Sequence, residues 1–152
     1  MPGNFVGADE ASLLFYNRES GLAQFYTALG GVDIQEQSSA FWSPGWTHIV
    51  AGGSAEGFES LLFYNSASGA AEFYSTDGSG GIAQLSSTTW SIGWTHILPV
   101  LLYEEGYESL LFYNSVSGVS QFYTVDGTGD IHLLSDATTW RKSWALITSI
   151  EG

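Results

Sequence analysis

The stretch SLLFYN occurs verbatim at residues 12–17, 60–65 and 109–114, so the chain restarts the same unit at offsets of 48 and 49 residues. Two further landmarks keep step with it. Phe-Tyr recurs at Phe25-Tyr26, Phe73-Tyr74 and Phe122-Tyr123, and a W-x-x-x-W pair recurs as Trp42/Trp46, Trp90/Trp94 and Trp140/Trp144. Landmarks in constant order at a period of roughly 20–50 residues are the signature of arrays, solenoids and propellers. The repeats are expected at residues 1–50, 51–98 and 99–152 of one domain.

Within the middle copy the pattern reads as four short strands. Residues 60–65 form an aliphatic and aromatic run of strand length, closed by the turn residues Ser68-Gly69. Residues 71–75 (AEFYS) alternate polar and apolar side chains, residues 76–81 (TDGSGG) make a turn, and residues 82–86 (IAQLS) make a third strand. Residues 94–98 (WTHIL) are expected as the fourth. No segment has the length and 3.6-residue period of a helix. The fold class is therefore all-β, with three tandem four-stranded repeats.

Four strands per unit suit a propeller blade or a lobe of a monomeric β-trefoil. A trefoil closes with three lobes. A propeller closes with about four to eight blades, so three blades make half a ring and two chains make six. An open half-ring would leave end faces rich in Leu, Phe and Trp in water, which is disfavoured at roughly 25 cal/mol per Å² of apolar surface. A homodimer of six blades is the expected assembly.

Composition narrows the function. The 152 residues include 16 Asp and Glu against three cations, for a net charge of −13. Nucleic acid is not an expected partner, because phosphate contacts require Lys and Arg. Membrane insertion is not expected either, since no stretch approaches the roughly 18 apolar residues of a spanning helix. The N-terminal MPGNFVGADE has neither the basic region nor the apolar core of a signal peptide. With no Cys there is no disulfide framework.

The first junction, Pro2-Gly3-Asn4-Phe5-Val6-Gly7 leading into SLLFYN, resembles the FG-GAP or VCBS-type repeat of integrin-like and fungal-lectin-like β-propellers, where P-G-N-F-x-G precedes D-L-L-F-Y-D. The internal junctions, residues 51–60 and 99–109, keep a Gly and the strand. The resemblance implies a propeller and, in the family, an Asp-rich calcium loop. Here the Asp positions are Ser12, Ser60 and Ser109, and Asn17, Asn65 and Asn114, while Asp9, Glu56, Glu59, Glu105 and Glu108 fall out of register. Calcium prefers several oxygen ligands with carboxylates prominent. No metal or other cofactor is expected, and chelation with EDTA should leave the melting temperature unchanged.

No nucleophile–base motif appears, so catalysis is not expected. Repeated aromatic residues beside amides and hydroxyls suit carbohydrate, whose C–H faces stack on rings and whose hydroxyls pair with polar groups. The candidate ligand contacts are Trp42, Trp90 and Trp140; Trp46, Trp94 and Trp144; His48 and His96; Tyr16, Tyr64 and Tyr113; and Asn17, Asn65 and Asn114. If residues 94–98 are a strand, Trp94 and His96 share a face. Leu146 replaces the histidine in the third copy, which leaves two complete W-T-H pockets per chain. The expected function is a multivalent lectin that binds glycans or glycoconjugates. The alternative is a non-catalytic interaction or scaffold module, including an excised or engineered piece of a larger propeller.

Overall fold

A computed structural model describes residues 2–3, 12–28, 33–53, 59–77, 81–101, 108–125 and 130–148. All regular structure among them is strand. The first sheet contains β1 (Pro2–Gly3), β2 (Ser12–Tyr16), β3 (Leu22–Ala28) and β4 (Ile34–Phe41). The second contains β5 (His48–Gly53), β6 (Glu59–Tyr64), β7 (Ala70–Thr76) and β8 (Ile82–Thr89). The third contains β9 (His96–Leu101), β10 (Glu108–Tyr113), β11 (Val119–Val125), β12 (Ile131–Leu133) and β13 (Thr138–Thr139), the last two both pairing with β11.

Each sheet is an antiparallel meander, and the three are separate. A trefoil would merge strands of all three lobes into one barrel, so the trefoil alternative is excluded by the pairing. Stacked antiparallel meanders of four strands, with β13 a short addition beside β11 in the third sheet, are the arrangement of propeller blades.

The unit of the fold is shifted by one strand from the expected repeat. The W-T-H-I stretch does not end the preceding unit. His96 pairs with Tyr113, and Ile97 with Phe112, so β9 opens the third sheet. His48 pairs with Tyr64 and opens the second sheet in the same way. Residues 42–47 and 90–95 are then the crossovers between sheets, and the first two W-x-x-x-W pairs sit on them, while Trp140 and Trp144 hold the matching place after the third sheet.

LLFY is apolar throughout because the strand in the middle sheet is buried on both faces. Leu61 and Phe63 pack toward Leu14, Ala23 and Phe25 of the first sheet. Leu62 and Tyr64 join Phe73 in a core with Trp94 of the crossover and Ile97, Leu110 and Phe112 of the third sheet. A strand covered on both sides has no reason to alternate with polar residues. All four side chains, Leu61 through Tyr64, are buried.

Asn17, Asn65 and Asn114 end these strands. Each Oδ1 accepts two backbone N–H groups of the following turn, from Glu19 and Ser20, from Ala67 and Ser68, and from Val116 and Ser117. This is an Asx turn. The side-chain Nδ2 of Asn65 donates to the Gly45 carbonyl at 3.1 Å and so ties the turn to the preceding crossover.

Candidate functional site

The aromatic residues build the interfaces between sheets before they build anything else. Trp42 and Trp46 approach the Phe63 ring at 5.1 and 5.6 Å, both edge-on. Trp90 and Trp94 approach Phe112 at the same two distances. Edge-to-face geometry at this range is the favoured aromatic arrangement. The crossover tryptophans thus clamp a phenylalanine of the next sheet.

A groove opens between the second and third sheets where this clamp meets the sheet surface. One cavity of about 280 Å³ is lined by Thr89, Trp90, Ser91, Trp94, Phe112, Tyr123 and Ile131. A second, of about 360 Å³, shares Trp90 and Ile131 and adds Thr88, Asp130 and His132. Its walls are indole, phenyl and phenol rings, and its rim carries hydroxyls, a carboxylate and an imidazole. Tyr123 stacks edge-on to Phe112 at 5.0 Å, and its hydroxyl donates to Gln121 Oε1 at 3.0 Å. Burial raises the pKa of the Tyr123 phenol. The equivalent Tyr74 is pushed up to about 12 by burial and by the adjacent Glu72 carboxylate, to which its hydroxyl donates at 2.6 Å. Both hydroxyls stay protonated at neutral pH.

Of the residues expected to contact ligand, Trp90 and Trp94 line this groove, and Trp42 and Trp46 hold the equivalent places between the first and second sheets. The others are placed differently. Tyr64 and Tyr113 are fully buried, and their hydroxyls donate to the crossover carbonyls of Ser91 and Arg141 at 2.7 and 2.6 Å. Tyr16 makes the same bond to Ser43. Tyr64 and Tyr113 therefore pin crossovers and cannot reach a ligand. The asparagines shape turns, as described above.

The shared face expected for Trp94 and His96 does not form. Regular alternation begins at His96, where β9 starts, and Trp94 lies on the crossover before it. Trp94 turns onto Phe112, whereas His96 lies 5.6 Å from Tyr113, the neighbour of Phe112 on β10. Successive residues of a strand face opposite sides, so tryptophan and histidine end on opposite faces of the sheet.

The histidines link one sheet to the next. His48 Nε2 donates to the Thr95 carbonyl at 2.9 Å, and Nδ1 accepts from the Thr47 hydroxyl at 2.8 Å. His96 repeats this with the Ala145 carbonyl and Thr95. Both ring nitrogens are engaged within the protein, which removes the histidines from the ligand set.

Burial lowers the pKa of His48, against the raising effect of the Thr95 carbonyl, and the nearby His96 and Arg18 lower it further. Unfolded histidine titrates near pH 6.5. Below that pH the unfolded chain takes up the proton more readily than the folded one, so the His48 contribution is complete above about pH 6.5 and is lost as the pH falls. Urea unfolding between pH 7.5 and 5.5 should show this decline, and His48→Gln should flatten it.

Sequence reasoning missed Thr88, Thr89, Ser91, Tyr123, Asp130, Ile131 and His132 as lining residues. They come from the outer strands and the crossover, and the groove brings them to the tryptophans. Among the described residues no group of three or more His, Asp or Glu side chains could hold a metal ion. Asp9, Glu56 and Glu105 lie outside the described residues. No known protein family matches the sequence, and no curated protein shows significant similarity to it.

Proposed function

We propose that the protein is a multivalent carbohydrate-binding protein whose sites are the grooves between adjacent sheets. The observation that carries this reading is the groove between the second and third sheets, where Trp90 and Tyr123 stand beside Thr88, Thr89, Asp130 and His132. Aromatic walls accept the C–H face of a sugar ring, and the rim offers hydrogen-bond partners to its hydroxyls. The two volumes suit a ligand of one or two sugar rings, near the lower end of ordinary small-molecule sites. Glycoside hydrolysis normally uses a pair of carboxylates; among the described residues the lining contains one, Asp130, so the reading is binding without turnover.

The grooves are equivalent in their walls and different in their rims. Where the second groove has Thr88, Thr89, Asp130 and His132, the first has Ala40, Phe41, Gly81 and Ala83 by strand register. The groove between the second and third sheets is therefore the stronger site within one chain. Several sites on one molecule give avidity toward a glycosylated surface.

A glycan array identifies the sugar, and calorimetry on the hit tests the site. Thr88→Ala combined with His132→Ala removes two exposed rim groups and should weaken binding about tenfold or more, by the usual cost of a lost polar partner, with an unchanged melting temperature. His48→Gln should leave the affinity unaltered. Unchanged affinity in the rim variant would move the site elsewhere. An array that retains nothing would favour the interaction-module reading.

A further inference from the structure

The two ends of the three-sheet stack are unfinished in complementary ways. Phe63 and Phe112, each clamped by two tryptophans, are both 1% exposed. Phe15, their equivalent in the first sheet, is 49% exposed, and among the described residues its ring neighbour is Tyr26, at 5.2 Å, with no tryptophan beside it. Trp140 and Trp144, the crossover pair after the third sheet, are 37% and 46% exposed. One end lacks its tryptophans, and the other lacks its phenylalanine.

The backbone is unfinished in the same sense. β5 pairs with β6 from Glu59 to Tyr64, and β9 pairs with β10 from Glu108 to Tyr113. On the same side of β2, β1 reaches only Ser12 and Leu13. Phe15 and Tyr16 have no inner-strand partner among the described residues. Residues 144–147 (WALI) hold, in the third copy, the place of the W-T-H-I stretch that opens β5 and β9. They form no strand, and Leu146 is 89% exposed.

We propose that a second copy of this chain closes the stack. Residues 144–147 of each copy complete the inner strand beside β2 of the other, and Trp140 and Trp144 clamp Phe15 of the partner subunit. Two copies give two identical seams and six sheets, within the range of about four to eight blades at which propellers close. Three copies would give nine.

The internal interfaces supply the contacts. The amides of Thr47 and Thr95 donate to the carbonyls of Tyr64 and Tyr113 at 3.0 Å, so the Ala145 amide donates to Tyr16 of the partner subunit. Asn65 Nδ2 donates to Gly45, so Asn17 of the partner subunit donates to the Ser143 carbonyl. Ser143 already holds the required backbone conformation. Its φ is 70°, where the equivalent Gly45 and Gly93 have 94° and 89°. A non-glycine residue at positive φ is uncommon, and here it keeps the crossover shaped for the seam.

Closure also makes a groove that neither chain has alone. Its rim carries Thr138, Thr139 and Trp140 from one copy, in the places of Thr88, Thr89 and Trp90, and Asp33 of the partner subunit in the place of Asp130. The seam groove thus resembles the polar second groove more than the first. That it binds sugar rests on the function proposed above; that it forms does not.

Light scattering should give twice the 16.4 kDa chain mass at micromolar concentration; a folded species of one chain mass overturns the proposal. Because the chain has no Cys, Arg18→Cys with Ala145→Cys places the only thiols across the seam, by analogy with the Thr47 and Ser66 contact. Oxidation should yield a covalent dimer, while free thiols or an intrachain bond overturn the proposal. Ala145→Thr with Leu146→His restores the W-T-H stretch and should raise the melting temperature by a few degrees. In a lone chain both side chains sit in water, and no change in melting temperature would count against the seam. None of these readouts depends on a glycan, so failure of the lectin reading leaves them interpretable.

Discussion

Phe63→Ala is expected to destabilise the protein by about 3–5 kcal/mol, the range for truncating a large aromatic side chain in a core. The Phe63 ring is 1% exposed and has three aromatic neighbours, with Tyr74 at 4.9 Å in addition to Trp42 and Trp46. Its loss leaves a void between the first and second sheets, bounded by rings held from opposite sides. Trp42 is fixed by Phe25 at 5.8 Å, and Tyr74 by its bond to Glu72, so neither can collapse inward cheaply. Against a typical stability of about 5–15 kcal/mol, one substitution would remove roughly a fifth or more. Urea unfolding measures this directly, and a loss below about 1 kcal/mol would show that the sheets do not depend on the clamp. Phe15→Ala removes the same atoms from a half-exposed site. Its cost in one chain should be small and should grow with protein concentration if the seam forms, because only the assembled protein buries that ring.

The three landmarks were enough to read an all-β fold of three four-stranded units. They could not set where a unit begins, because a repeating sequence has no marked origin. W-T-H-I follows I-A-Q-L-S in the chain and reads as part of the same unit, but strand pairing depends on which backbone lies opposite, and His96 lies opposite Tyr113. The site was half legible for a related reason. Repetition pointed to the tryptophans, which do wall the groove. It also pointed to His48 and His96, whose recurrence reflects the same bond between sheets made twice. Thr88, Asp130 and His132 gave no signal of this kind, since Ala40, Gly81 and Ala83 hold equivalent places. In a protein built of copies, what recurs maintains the contacts between copies, and what departs from the repeat distinguishes one groove from another.

Gly69→Ala is the second large effect, expected to cost on the order of 4 kcal/mol, a size reserved for a few specific mechanisms. Two of those mechanisms coincide here. Gly69 has a φ of +78°, which alone costs an L-residue roughly 1–2 kcal/mol. A Cβ there would also lie 2.2 Å from the Trp90 carbonyl oxygen. The backbone cannot retreat, because the Gly69 amide donates to Asn65 and its carbonyl accepts from the Trp90 amide, both at 2.8 Å. Gly45→Ala is the matched control. Its φ of +94° is no easier, but the nearest atom to a Cβ is Asn65 Nδ2 at 3.9 Å, in open contact. Only the conformational cost of about 1–2 kcal/mol should appear, as the presence of Ser143 at the equivalent turn indicates. Equal losses in the two variants would mean that the Trp90 carbonyl yields. If it does not yield, the strain falls on the crossover that carries Trp90, so any Gly69→Ala protein that still folds should bind ligand more weakly at the second groove while the first stays intact.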